Sequence, residues 1–280
     1  MSNKFKTALY LILLMVFFMG LGGLLGGRQG LLLGFMIALA SSVFTYFFSD
    51  QMLLKIYNAT EVEGVDPYGL GDIVTKLSRK AGIARPRVFI IPSNTPNAFA
   101  TGRGPAYASL AATQGILTLL SKEELEAVIA HELCHVRHHD TLIMATAAAF
   151  SSALMMIGDL VRWLTDFGRK TPVSQKPNGV ASLVIGALSP LAALLIRIAT
   201  LGLKEFETDA TSVTITQNPR ALASALWKIH HYSQALPMSA TQSTAHLFII
   251  NPLLSGGING LFNTHPPVQE RIKKLIGRTL

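Results

Sequence analysis

The chain is short of charge. Asp, Glu, Lys and Arg make up 14% of its 280 residues, against about 25% in an ordinary soluble domain. Cysteine is nearly absent: Cys134 stands alone, which excludes an intramolecular disulfide framework. Acidic residues number 16 against 24 Lys and Arg, for a net charge of +8. The basic residues are scattered and carry no recognisable reading motif, so no nucleic-acid partner is expected. They suit contact with anionic lipid headgroups, or they simply flank membrane segments. There is no low-complexity tract, and no internal repeat beyond two pairs of apolar runs. What the chain has in excess is apolar: 50% of residues are hydrophobic, with a mean hydropathy of +0.40.

That excess is uneven. Thr7 to Gly27 and Gly30 to Ser49 are uncharged runs separated by Arg28. At ~1.5 Å per residue each is long enough for a ~30 Å hydrocarbon core. The first is too long for a signal peptide, and no small-residue cleavage site precedes Arg28. A retained hairpin over residues 1–50 is expected. Lys4 and Lys6 before it and Lys55 after it place both ends in the cytoplasm by the positive-inside rule. Thr141 to Ile157 and Gly179 to Ile196 form a second, weaker pair. Asp159 and Arg162 follow the first run, Pro190 interrupts the second, and Arg169, Lys170 and Lys176 lie in the loop. A second membrane hairpin over 141–203 is expected in spite of those charges, giving about four transmembrane helices.

The remaining segments, 51–140 and 204–280, read as two parts of one soluble α+β domain. Tyr68 to Gly82 has helical periodicity with a glycine stop. Arg87 to Pro92, Asn97 to Thr101 and Ala106 to Ala111 are strand-like. Ser121 with Glu124 three residues on is a capping box, opening a helix that contains His131-Glu132-Leu133-Cys134-His135. Asn218-Pro219 caps another helix, and Pro266-Pro267 opens a last one that Gly277 closes. Leu236 to Asn263 has little pattern.

On a helix His131 and His135 point the same way, one turn apart, and can bind one Zn²⁺. Glu132 is then placed to act as general base, a spacing typical of zinc peptidases. A catalytic zinc takes three protein ligands. The metzincin pattern fails, because position 141 is Thr. His138 lies ~10 Å along the axis from His131, too far to share the ion. His138 and His139 read as polar residues that suit a helix C-terminus. Downstream, Glu205 and Asp209 are four apart. Glu205 would complete a two-His, one-Glu site, and Asp209 could accept a hydrogen bond from a ligand histidine, His131 first. Glu207 is the weaker alternative, and a solvated charge cluster the bland one.

The combination of HELCH, EFETDA, NAFATG at Asn97–Gly102, AHLFIINPL at Ala245–Leu253 and NTHPPVQERI at Asn263–Ile272 resembles the HtpX-type membrane zinc peptidases. That group is similar to the CAAX prenyl proteases and the mitochondrial membrane-stress peptidases. The resemblance spans nearly the whole chain. It departs at Cys134, where the family usually has a small residue; a buried, inert thiol is expected there. It implies a zincin-like (gluzincin) catalytic domain with one Zn²⁺, on the cytoplasmic side of a bacterial inner membrane. It further implies that misfolded or damaged membrane proteins and unfolded polypeptides are the substrates. His265 and Arg271 would stabilise the oxyanion. Asn97, Ala98, Phe99 and Ala100 would form a sheet edge along which an extended substrate adds as a strand. A zinc-stabilised adaptor without proteolysis and a prenyl-protein processing peptidase are the competing readings. The intact Glu132 argues against the first, and four spans rather than a large chamber against the second.

Overall fold

The computed structural model describes residues 3–166, 179–200, 205–235, 240–253, 262 and 264–278. Helix α1 (Asn3–Ile56) is two limbs, broken where Gly26 and Gly27 leave helical geometry. Gly27 supplies the turn at φ 57°, a conformation that costs glycine little. The limbs fold back on each other because the crossing has no side chains. A Cβ on Gly22 would lie 2.1 Å from the Gly30 carbonyl oxygen, and one on Gly34 2.3 Å from that of Phe18. Small residues of this kind let membrane helices approach closely. The outward faces carry Leu24, Leu33, Met36 and Phe44, all more than half exposed.

A four-stranded sheet follows, in the order β1 (Thr60–Glu61), β2 (Arg87–Ile91), β4 (Ala108–Thr113), β3 (Ala98–Gly102). The central β2–β4 pair is parallel, and β1 and β3 pair antiparallel at the edges. Strand β4 starts at Ala108, two residues later than the sequence pattern suggests. Pro105 turns Pro105–Tyr107 into a 3₁₀ turn instead, since its fixed φ suits the start of a helical turn and not a ladder.

One face of the sheet is covered by α2 (Leu70–Ala81) and α4 (Lys122–His138), with the short α3 (Gln114–Leu119) leading in. Their apolar faces meet α8 (Pro219–Ala235) in the main core, around Leu77, Leu110, Ile129, Leu133 and Leu226. The other face takes Leu53, Leu54 and Tyr57 from the end of α1, Met144 and Ala148 from α5 (Asp140–Asp166), and Phe248. Helix α5 packs on α6 (Gly179–Thr200), and both meet Tyr10 and Leu14 of the first limb. Helices α7 (Glu205–Thr216) and α9 (Val268–Ile276) complete the domain.

Among the described residues two segments are long and apolar enough to span a membrane, Thr7–Leu24 and Gly26–Ile56. A third arises only if Ile185–Thr200 is continued into Glu205–Thr216 across a 48° bend, and Asp140–Met156 is shorter. The basic loop residues Arg169, Lys170 and Lys176 lie outside the described residues.

Candidate active site

Helix α4 is held at both ends. Ser121 accepts from the Glu124 backbone N–H while the Glu124 carboxylate accepts from that of Ser121. Glu124 also takes Ser224 and Lys228 of α8, at 2.6 and 2.8 Å. The helix stops at His139, whose φ of 61° turns the chain into α5. The four-residue spacing then stacks His131 and His135 on one buried face, with Nε2 atoms 3.2 Å apart. Glu205, the first residue of α7, closes the group: its oxygens lie 3.5 Å from His131 Nε2 and 3.6 Å from His135 Nε2. One ion ~2.1 Å from each of three tetrahedral ligands needs ligand–ligand distances of about 3.4 Å. Glu205 Oε2 is buried without a hydrogen-bond donor, Arg271 Nη1 standing 3.7 Å away, so a closer cation would satisfy it. The donor set therefore fits a metal ion.

The charges agree. Burial alone would lower His131, but Asp209 and Glu205 outweigh it and raise it to about 9. Burial alone would raise Glu205, but His265, His131 and His135 hold it well below the usual carboxylate range. The pocket thus draws protons onto its histidines, and a bound cation would displace them.

Asp209 Oδ1 lies 2.9 Å from His131 Nδ1. At that distance the carboxylate orients the ring and favours its protonated form. Arg271, 1% exposed, grips the same carboxylate through Nε at 2.9 Å and Nη2 at 2.7 Å. Its Nη1 donates to the Ile249 carbonyl at 3.1 Å and lies 3.7 Å from Glu205. All three nitrogens are thereby committed within the chain. Burial would raise Asp209, but Arg271 and His131 overcome it and hold the carboxyl at about 2.

His265 donates from Nε2 to the His246 carbonyl at 3.2 Å, leaving Nδ1 3.4 Å from Glu205 Oε1. Glu132 is buried beside the histidines, and burial raises its carboxyl. The nearby Ala100 backbone opposes that rise, which puts β3 alongside the carboxylate. The start of that strand is not an open edge. Ala98 O accepts from Ile249 N at 3.1 Å, and Asn97 Nδ2 donates to Ile250 O at 2.8 Å. Phe99 is packed edge-on against Phe248. Thr141 caps the far end, donating to Gly102 O.

Sequence reasoning missed Asp140, whose Oδ2 lies 3.0 Å from His135 Nδ1. The signal was present: a carboxylate directly after the histidine helix can look back at it once the helix ends in a tight turn. Cys134 is buried and its thiol pushed up to about 12 by that burial, which leaves it inert at neutral pH. Glu207 is exposed on α7, away from the group formed by His131, His135 and Glu205.

Two histidines on one helix and a glutamate from a distant one that could hold a metal ion, with a second buried glutamate beside them, have the arrangement of a metallopeptidase centre. Comparison with known proteins gives the same class. Residues 69–279 match peptidase family M48, and the chain belongs to that family. It is 42% identical over 279 residues to a protease HtpX homolog of Methylibium petroleiphilum, covering 99% of this chain and 98% of that one. The identity is 40% over 274 residues to a protease HtpX homolog of Campylobacter concisus, covering 97% and 95%. A crystal structure of S. mikatae Ste24p aligns over 86% of this chain and 57% of that one, at 14% identity and TM-score 0.46, too loosely to place any residue. The protein is a membrane-associated metalloendopeptidase.

Proposed function

We propose that the resident metal is Zn²⁺, one per chain, held by His131, His135 and Glu205 in a gluzincin-type site. The observation that carries this is the convergence of one ligand atom from each of the three residues within 4.8 Å of one another, with the two Nε2 atoms 3.2 Å apart and one Glu205 oxygen facing each of them. Bound there, zinc would supply a Lewis acid that polarises the scissile carbonyl and makes water more acidic.

The chain's own residues do the rest. Glu132 takes a proton from the attacking water and returns it to the leaving amine; a carboxyl raised by burial suits both transfers. His265, with Nδ1 facing the centre, donates to the developing oxyanion when both its nitrogens carry protons. Arg271 acts through Asp209, which it fixes against His131. The substrate main chain meets β3 at Ala100, beside Glu132, because Leu247–Ile250 already lies along Asn97 and Ala98. Main-chain recognition of this kind tolerates varied side chains, which suits damaged or misfolded membrane proteins as substrates. The domain works on the cytoplasmic side of a bacterial inner membrane, with α5 and α6 as a second hairpin over 141–203. The positive-inside pattern and the HtpX relatives support that placement.

The test is cleavage of casein and of a model membrane protein by the detergent-solubilised full chain, with zinc, with chelator, and as Glu132→Gln. The variant retains zinc and loses about 10²–10⁴-fold in rate. Cleavage that persists in chelator, or in metal-loaded Glu132→Gln, overturns the assignment.

A further inference from the structure

We propose that a cavity of about 220 Å³ between the end of α1 and the sheet binds the phosphodiester headgroup of an anionic membrane phospholipid. Its charged lining is Arg85, Arg87 and Arg103 against one carboxylate, Asp50. This site is separate from the metal centre and independent of the peptidase reading.

Depth places it. The second limb of α1 presents exposed Phe44, Tyr46, Phe47 and Phe48, and polar Asp50 and Gln51 follow at once. Aromatic belts of this kind sit at headgroup level, and Phe47 is part of the cavity wall. At that depth the cavity would lie within reach of lipid phosphates.

The arginines are arranged for an anion. Arg103 lies over the rings of Tyr107 and Phe47, its guanidinium carbon 4.0 and 5.2 Å from their centroids. It has no ion pair with any described residue. A guanidinium held by its faces keeps its N–H edge available for a bidentate phosphate contact. Arg87 is taken up by Glu61 through Nε and Nη2, which leaves the anion to Arg103 and to Arg85, the latter already held by Thr75 through Nε. Asp50 answers the other half of the headgroup, because a carboxylate accepts from headgroup hydroxyls such as those of glycerol. Arg103 also sits on the hairpin from β3 to β4. A bound headgroup would steady the loop that continues the strand beside Glu132.

The test reconstitutes the full chain in phosphatidylcholine vesicles with and without phosphatidylglycerol, then counts each lipid retained per chain after detergent extraction. Native chain retains phosphatidylglycerol over phosphatidylcholine. The Arg85→Gln/Arg103→Gln double variant loses that retention by about fivefold for each guanidinium, while Arg220→Gln on α8 behaves as native. Equal retention of the two lipids by native chain overturns the proposal whether or not the double variant folds. So does undiminished retention in a folded double variant. Displacement of the lipid by low concentrations of inorganic phosphate assigns the cavity to a soluble anion and also overturns it.

Discussion

Arg271→Met separates two roles for this arginine. The methionine keeps the unbranched stem and deletes the guanidinium. Asp209 then stays buried, with His131 as its remaining cationic neighbour, and the Ile249 carbonyl loses its donor. Holding Asp209 at about 2 instead of its ordinary 3.8 corresponds to about 2.5 kcal/mol at neutral pH. Breaking one side of a buried pair typically costs about 3–5 kcal/mol, so the two routes agree near 3. A chain of this size loses roughly 2–4 °C per kcal/mol. The expected fall is roughly 10 °C, read by thermal unfolding of the solubilised chain in chelator. The pH dependence has a definite sign. A carboxyl depressed by folding contributes stability that is complete above its ordinary value and is lost as pH falls toward about 2. Without Arg271 that contribution shrinks and acid unfolding moves to higher pH. Arg271→Lys, with one donor group for the fork, lies between. If chelated Arg271→Met melts as native while only turnover falls, Arg271 serves the reaction directly and the burial argument is wrong.

Three further outcomes are expected. Asp140→Asn weakens metal affinity about 10–100-fold, measured by competition with a chelating dye; an unchanged affinity would show that the 3.0 Å contact to His135 does not orient the ring. Gly34→Ala places a methyl 2.3 Å from the Phe18 carbonyl oxygen and costs about 1–3 kcal/mol of overpacking. Gly20→Ala, with nothing within 4 Å, is its neutral control, and equal melting of the two would exclude a tight limb crossing. His138→Ala keeps the native complement of bound metal by elemental analysis, since this residue lies outside the group that converges on Glu205.

The sequence is legible wherever the chemistry repeats along one helix. The box at Ser121 and Glu124, the stacked pair His131 and His135, and the pair Glu205 and Asp209 all follow from turns of 3.6 residues. Contacts between segments remote in sequence are not legible in this way. The bidentate grip of Arg271 on Asp209 depends on how α9 packs against α7. The covering of Asn97 and Ala98 depends on Leu247–Ile250, a stretch with no periodicity that is nonetheless buried. Asp140 is the intermediate case, adjacent in sequence and overlooked because its meaning depends on the turn at His139. The apolar runs were plain in composition. Yet α5 and α6 pack against each other and against Tyr10 and Leu14, so hydropathy alone does not separate a lipid-facing helix from a protein-facing one.

The proposed ligands His135 and Glu205 flank the α5–α6 excursion: His135 lies five residues before α5 begins, and Glu205 five residues after α6 ends. In polymer terms the metal site is a clasp on a loop. The cost of closing such a loop grows slowly with its length, so a single ion can hold a long one shut. Asp140, the first residue of α5, touches His135 and so joins the clasp to the loop's first helix. Chelation should therefore do more than stop the chemistry. It should loosen the α5–α6 pair against α1, at a distance from the ion it removes.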